Sequence, residues 1–205
     1  VEKIKRTIDQ ALEQGAGLVV FPELTIPGYG CLDQFQNPSF IEDNLNALEE
    51  IVRFTGGKSI SVICGFVDRG ADGKCFNSAG LIKNGALLDI VDKTLLPDYD
   101  IFWESRYFSP ARSIHPINVD GFQIGLEICE DLWDRSYSIK VSDQLLQAGA
   151  ECMVNISASP FHPGKTATRM DLMKSVLESR PVPFVYTNLV GAQDGYEGEV
   201  VFDGR

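Results

Sequence analysis

Short apolar runs rich in β-branched residues alternate with helical stripes along this chain, and Asn-Gly and Asp-Gly steps punctuate two pairs of such runs. Few folds accept that combination. Runs such as "LVVF" (18–21) and "SVICGF" (61–66) are apolar at nearly every position, so each strand must be covered on both faces. The hairpin steps require antiparallel neighbours, and the intervening helices supply the covers. The pattern predicts an α/β fold with mixed sheets and helices on the outer faces.

The predicted elements follow in order. Apolar residues at Val1, Ile4, Ile8 and Leu12 mark a helix over 1–14, ended by "GAG". A strand follows at "LVVFPE" (18–23), then a loop, then a helix over 39–54 ended by "TGG". Strands are expected at 59–69, on either side of "KNGA" within 75–93, and on either side of Asp120-Gly121 within 115–129. Residues 97–112, rich in Pro, aromatic and acidic side chains, read as an ordered loop. Helices near 139–148 and 167–180 alternate with strands at 151–158, 183–190 and 198–203.

Composition narrows the function. Of 205 residues, 44% are hydrophobic and 23% charged, enough for one substantial core. A net charge of −11 argues against a nucleic acid or an anionic membrane surface as partner. No apolar run is long enough to span a membrane. Five cysteines without CxxC spacing and only two histidines, His115 and His162, give no metal-ligand pattern. Free thiols fit a reducing compartment, so a cytoplasmic setting is expected. The chain opens inside a helix pattern without Met and stops where a strand gives way to a turn, which suggests an excerpt truncated at both ends.

Three apolar strands run into an unusual polar residue: "LVVFPE" into Glu23, "LLDIVDK" into Lys93 and "IGLEIC" into Cys129. Ligands of open α/β sheets sit at the carboxyl ends of strands. Singly, each residue reads as core filling, a solvated turn or an edge-blocking charge. Together they form a thiol nucleophile, a base and a cation, the parts needed for acyl transfer to sulfur. Glu23 would take the thiol proton, Lys93 and a backbone N–H would hold the oxyanion, and a Glu23-activated water would hydrolyse the thioester. The acids after Cys129 pose a problem, because negative charge raises a thiol's pKa. Lys93 offers the compensating charge.

At these residues the sequence resembles the nitrilase superfamily of carbon–nitrogen hydrolases. "VVFPELTIPGYGCLD" matches its glutamate motif, "DKTLLPDYDIFWESRYFSP" its lysine motif and "GLEICEDLW" its cysteine motif. The resemblance implies a four-layer αββα sandwich with mixed sheets, a Glu23–Lys93–Cys129 triad, and homo-oligomers. "CEDLW", "NISASPFHPGK" and "PVPFVYTNLVGAQD" followed by "VVFDG" are similar to the glutaminase domain of glutamine-dependent NAD+ synthetases. That similarity implies that residues 1–205 release ammonia from glutamine for a C-terminal synthetase domain. ATP and Mg2+ would be used there, and this chain has no SGGxDS-type phosphate loop.

By the same resemblance, Glu104 in "FWESR" is the second active-site glutamate, which positions the lysine and substrate. Tyr29, Tyr99, Phe102, Glu130, Trp133 and Ser157 fall where that branch lines its glutamine pocket. A buried carboxylate such as Glu130 suits an α-ammonium group. The bland alternatives are N-cap roles for Glu130 and Asp131, the preferred reading for Asp131, and core packing for Phe102 and Trp133. Lys165 and Arg169 receive no role. "GAQDGYEGEVVFDG" departs from the branch by a few extra residues and by Ala192 in place of a second Gly, at the pocket rim or tunnel mouth. Two other readings stand beside glutamine hydrolysis: a stand-alone amidase or N-carbamoyl amidohydrolase of the same superfamily, and a silent interaction module.

Overall fold

Strand β2 (Ser61–Arg69) sets the plan of the molecule. Its first seven residues are all buried. Val62, Cys64 and Phe66 turn to one side, against Ile4 and Ile8 of α1 (Glu2–Glu13) and Leu48 and Ile51 of α2 (Pro38–Phe54). Ile63 turns to the other side, where a second sheet lies. A strand covered on both faces needs apolar residues at both parities, and the continuous run "SVICGFV" supplies them.

The computed structural model describes residues 1–178, 180–196 and 198–204, with no side-chain description for 195, 196, 198 and 199. The first sheet has the order β1-β2-β3-β4, with β1 (Leu18–Val20), β3 (Cys75–Lys83) and β4 (Ala86–Asp92). β1 and β2 run parallel and the other pairs antiparallel. The second sheet has the order β5-β6-β7-β8, with β5 (Ile117–Val119), β6 (Phe122–Ile128), β7 (Cys152–Ser157) and β8 (Phe184–Asn188). Here β5 and β6 are antiparallel and the remaining pairs parallel.

The two sheets meet through Ile63, Ala79 and Leu81 on one side and Ile117, Leu126, Ile128, Val154 and Ile156 on the other. Leu145 and Leu146 of α3 (Val141–Gln147) and Val176 of α4 (Lys165–Leu177) pack with Met153 and Phe184 outside the second sheet. The layers are therefore helix, sheet, sheet, helix, as expected. Both hairpin steps are present: Asn84 and Gly85, and Asp120 and Gly121, all have positive φ, the backbone of a tight primed turn. Among the described residues no helix is long and apolar enough to cross a membrane.

Three differences from the sequence reading matter for the site. β1 stops at Val20, not Glu23; Phe21 still donates to Ile63 O at 2.8 Å, but the next acceptor along β2, Gly65 O, takes Ile26 N instead, at 3.1 Å. β6 stops at Ile128, and Cys129 opens a 3-10 turn with φ +46°. A further strand, β9 (Val190–Tyr196), pairs with β10 (Gly198–Asp203) as a two-stranded ribbon, where sequence reading saw only an insertion before a final strand. The extra residues near Gly195–Glu199 lie outside the described side chains.

The chain after β1 crosses β2 at close range. A Cβ on Gly65 would stand 2.5 Å from both Pro22 O and Leu24 N and 2.9 Å from Glu23 C. All three are backbone atoms and cannot swing aside. Gly65 thus permits the approach that seats Glu23. Gly65→Ala is expected to destabilise the fold by about 1–3 kcal/mol and to lower activity per folded molecule. Urea unfolding together with turnover of the folded fraction checks both.

Candidate active site

Glu23, Lys93 and Glu104 come from three separate segments and form one buried ionic cluster. Lys93 Nζ donates to Glu23 Oε1 at 2.7 Å and to Glu104 Oε1 at 2.7 Å. Lys93 and Glu23 are fully buried, and Glu104 almost so. Burial alone would push the Lys93 ammonium down, but the charges of Glu104 and Glu23 outweigh it and hold its pKa well above the ordinary lysine value. Burial likewise pushes Glu104 up to about 7, with Lys93 opposing and Glu23 reinforcing the shift.

Each member has further anchors. Glu23 Oε1 accepts from Asn77 Nδ2 at 2.8 Å, and Oε2 accepts from Ala158 N at 2.7 Å. Asn77 O in turn accepts from Lys93 N at 2.8 Å, so one asparagine fixes both partners of the pair. Tyr29 donates its hydroxyl to Glu104 Oε1 at 2.6 Å. Glu104 Oε2 is buried with no partner among the described residues. Sequence reading missed Asn77, because a polar residue inside an apolar strand carries no signal of what it faces.

Cys129 sits beside this cluster with only 8% of its surface exposed. Its pKa is raised, first by burial, then by the charge of Glu23, with Lys93 pulling the other way and Glu104 and Glu130 adding to the rise. The resting residue is therefore a protonated thiol, which needs a base when it attacks. Its left-handed backbone is uncommon for a side chain with a Cβ and marks a strained turn at the strand end. Cys129 O accepts from Asn155 Nδ2 at 3.4 Å, and Ser157 Oγ donates to Asn155 Oδ1 at 2.7 Å. Ser157 is fully buried in this contact.

The two acids after the thiol separate in role. Glu130 accepts from the hydroxyls of Tyr99, at 2.9 and 3.1 Å, and Tyr137, at 2.9 Å, and from no backbone N–H among the described residues. Burial raises its pKa, with both tyrosine hydrogen bonds opposing. Asp131 takes the capping role expected of it, accepting from Ile128 N at 3.1 Å. Phe102 stands edge-on between Tyr29 and Tyr99, with centroids 6.3 and 5.6 Å away. Trp133 is half-buried, and Lys165 Nζ lies 5.1 Å from its ring centroid. Burial lowers the Lys165 pKa, while the neighbouring Cys129 and Glu130 act to raise it. Arg169, 1% exposed, donates to Ser159 O at 3.0 Å and pairs with Asp203 at 3.5 Å.

An open groove of about 870 Å³ lies on the Glu104 side, between residues 30–34 and 100–107, with Trp103 in its wall. Cys129 is not among its lining residues. A narrow recess walled by Tyr29, Phe102 and Glu104 lies near the ionic cluster. The titratable groups converge at the cluster and thiol, away from this groove.

The profile of the carbon-nitrogen hydrolases matches residues 1–198. The chain belongs to that family. It is 34% identical over its whole length to a glutamine-dependent NAD(+) synthetase of Thermotoga maritima and 35% identical to one of Aquifex aeolicus. The chain spans only 34% of the length of each, about a third. A solved glutamine-dependent NAD+ synthetase from Acinetobacter baumannii superposes with a TM-score of 0.89 at 32% identity, over 99% of this chain and 36% of that one. A Nesterenkonia amidase superposes over 98% of this chain and 72% of that one, with a TM-score of 0.78 at 21% identity, a likeness of fold. The carbon-nitrogen hydrolase sandwich thus carries the Glu23, Lys93 and Cys129 cluster.

Lys93→Met leaves two adjacent buried carboxylates without their cation. The expected cost is about 3–5 kcal/mol near pH 8. The loss shrinks toward pH 5, because Glu104, whose carboxyl burial holds above the usual range, can then take up a proton; the folded variant binds more protons there than the unfolded chain. Urea unfolding of both proteins at the two pH values checks this, and adding Glu104→Gln to the variant is expected to recover part of the loss.

Proposed function

We propose that this chain is a glutamine amidohydrolase that acts through a cysteine thioester. Glu23 takes the thiol proton of Cys129, and the sulfur attacks the side-chain amide carbon of glutamine. Lys93 and a backbone N–H of the turn that begins at Cys129 hold the developing oxyanion. Glu23 then returns its proton to the departing nitrogen, and ammonia leaves. A water deprotonated by Glu23 attacks the thioester, releasing glutamate and the thiol. Glu104 keeps Lys93 charged and in place. Its unpartnered Oε2 offers an acceptor to the amide N–H or to that water.

The observation that carries the substrate is Glu130. It is a largely buried carboxylate, one residue past the thiol, held by two tyrosine hydroxyls. Such a group suits the α-ammonium of an amino acid, and the half-buried Lys165 nearby suits the α-carboxylate. Phe102 and Trp133 would flank the aliphatic stem. A simple amide or N-carbamoyl amine needs neither charge. The names of the relatives point the same way, and their length supports a C-terminal synthetase domain that uses ATP, Mg2+ and the released ammonia to amidate deamido-NAD+. We assign this chain to the cytoplasm on the same reading, and to a homo-oligomer.

Ammonia release from glutamine by the full gene product, compared with aliphatic amides and N-carbamoyl amines, tests the proposal. Cys129→Ala is expected to abolish release, and Glu130→Ala to raise KM for glutamine at least about tenfold while sparing simple amides. Undiminished release by Cys129→Ala would overturn the proposal, and preference for a simple amide would transfer it to the amidase reading.

A further inference from the structure

Lys93 and Cys129 directly follow strands of different sheets, β4 and β6, and facing sheets share no backbone ladder. Apolar packing does most of the joining, with polar ties elsewhere, from Ala158 N to Glu23 and from Ser61 and Lys83 to Asp120. Attack by sulfur next to an oxyanion held by Lys93 tolerates little sliding, since near-attack geometry is lost within about 1 Å. Something must register the two strand ends.

We infer that Asp131 is that positioning residue: its carboxylate ties the backbone beside Lys93 to the backbone beside Cys129. The inference rests on the proposed role of Cys129 as nucleophile. Asp131 is 1% exposed and accepts three backbone N–H groups. Thr94 N and Leu95 N donate to Oδ1 at 3.0 and 2.8 Å, and Ile128 N donates to Oδ2 at 3.1 Å. The bond to Ile128 is local and is all that a cap requires. The bonds to Thr94 and Leu95 span more than thirty residues of sequence and serve no cap.

Asp131 stands where the chain crosses between layers. Lys93 N still pairs with Asn77 of the first sheet. Two residues later, Leu95 packs among Val141, Leu145 and Met153 on the outer side of the second sheet. The segment passes the Cys129 turn at Thr94 and Leu95, and both N–H groups there lie on one carboxylate oxygen. A carboxylate provides acceptors in both directions. An amide of the same size provides one acceptor and one donor, so it must present N–H to one of the two strand ends.

Asp131→Asn therefore tests the inference with little change in volume. Three quantities are measured on the folded full gene product, well below its melting temperature: kcat and KM for glutamine, and the second-order rate of Cys129 labelling by iodoacetamide. The expected result is a fall in kcat of about 10–100-fold, a slower labelling rate, and KM within about threefold, because Glu130 and Lys165 remain in place. Replacing Thr94 by its α-hydroxy acid, which deletes one donor and leaves Asp131 intact, is expected to move kcat and labelling the same way. It serves as the deciding variant if Asp131→Asn does not fold. A lower melting temperature with kcat and labelling unchanged would reduce Asp131 to a cap and overturn the inference. If the wild type ignores glutamine, the substrate assignment fails while the labelling rates still judge Asp131.

Discussion

A single ammonium group held between two carboxylates, all sealed from water, governs this structure. An isolated charge at such a depth costs many kcal/mol. Here Lys93, Glu23 and Glu104 are tolerable only because each offsets another. Removing Lys93 leaves two like charges facing each other without their cation. The surrounding architecture serves this cluster: Gly65 lets the Glu23 segment in, Asn77 grips both Glu23 and the Lys93 backbone, and Tyr29 secures Glu104.

The cluster also resolves the chemistry of the thiol. Cys129 is a poor nucleophile at rest, since burial and nearby carboxylates keep its proton on. That is consistent with a group that becomes reactive when a substrate carbonyl brings its oxygen toward Lys93 and Glu23 accepts the proton. Charge then moves within a fixed set of dipoles and ions, with little solvent to reorganise. The strained left-handed turn at Cys129 is held from below by Asn155 and from the side by Asp131. Under the proposed function, substrate recognition falls to a separate carboxylate, Glu130, whose tyrosine partners belong to flanking loops.

The fold was legible because its strands are covered on both faces and its hairpins carry Asn-Gly and Asp-Gly. Those signals are local and leave few architectures open. Most helix and strand ends fell within a residue or two of expectation, as in α2, predicted over 39–54 and found over Pro38–Phe54, while α4, expected to 180, ends at Leu177. Glu23, Lys93 and Cys129 were legible because polar residues at the ends of apolar strands stand out. The ribbon strand β9 was not, since "VGAQDGY" is short of β-branched residues and takes its conformation from pairing with β10. Asn77, Asn155 and the long-range bonds of Asp131 were hidden for another reason. A buried polar side chain has meaning only through the partner that the fold brings to it, and for Asp131 those partners lie more than thirty residues away in sequence. Glu130 and Asp131 are adjacent and nearly alike, yet one faces tyrosine hydroxyls and the other faces backbone N–H groups.

The central claim is that Cys129 forms a covalent acyl intermediate at this buried cluster. Acid-quenched protein taken during glutamine turnover, digested and analysed by mass spectrometry, tests it directly. The account predicts a γ-glutamyl group on the peptide that contains Cys129 and on no other cysteine peptide. Steady ammonia release with that peptide unmodified at every time point, or with the adduct on another cysteine, would contradict it.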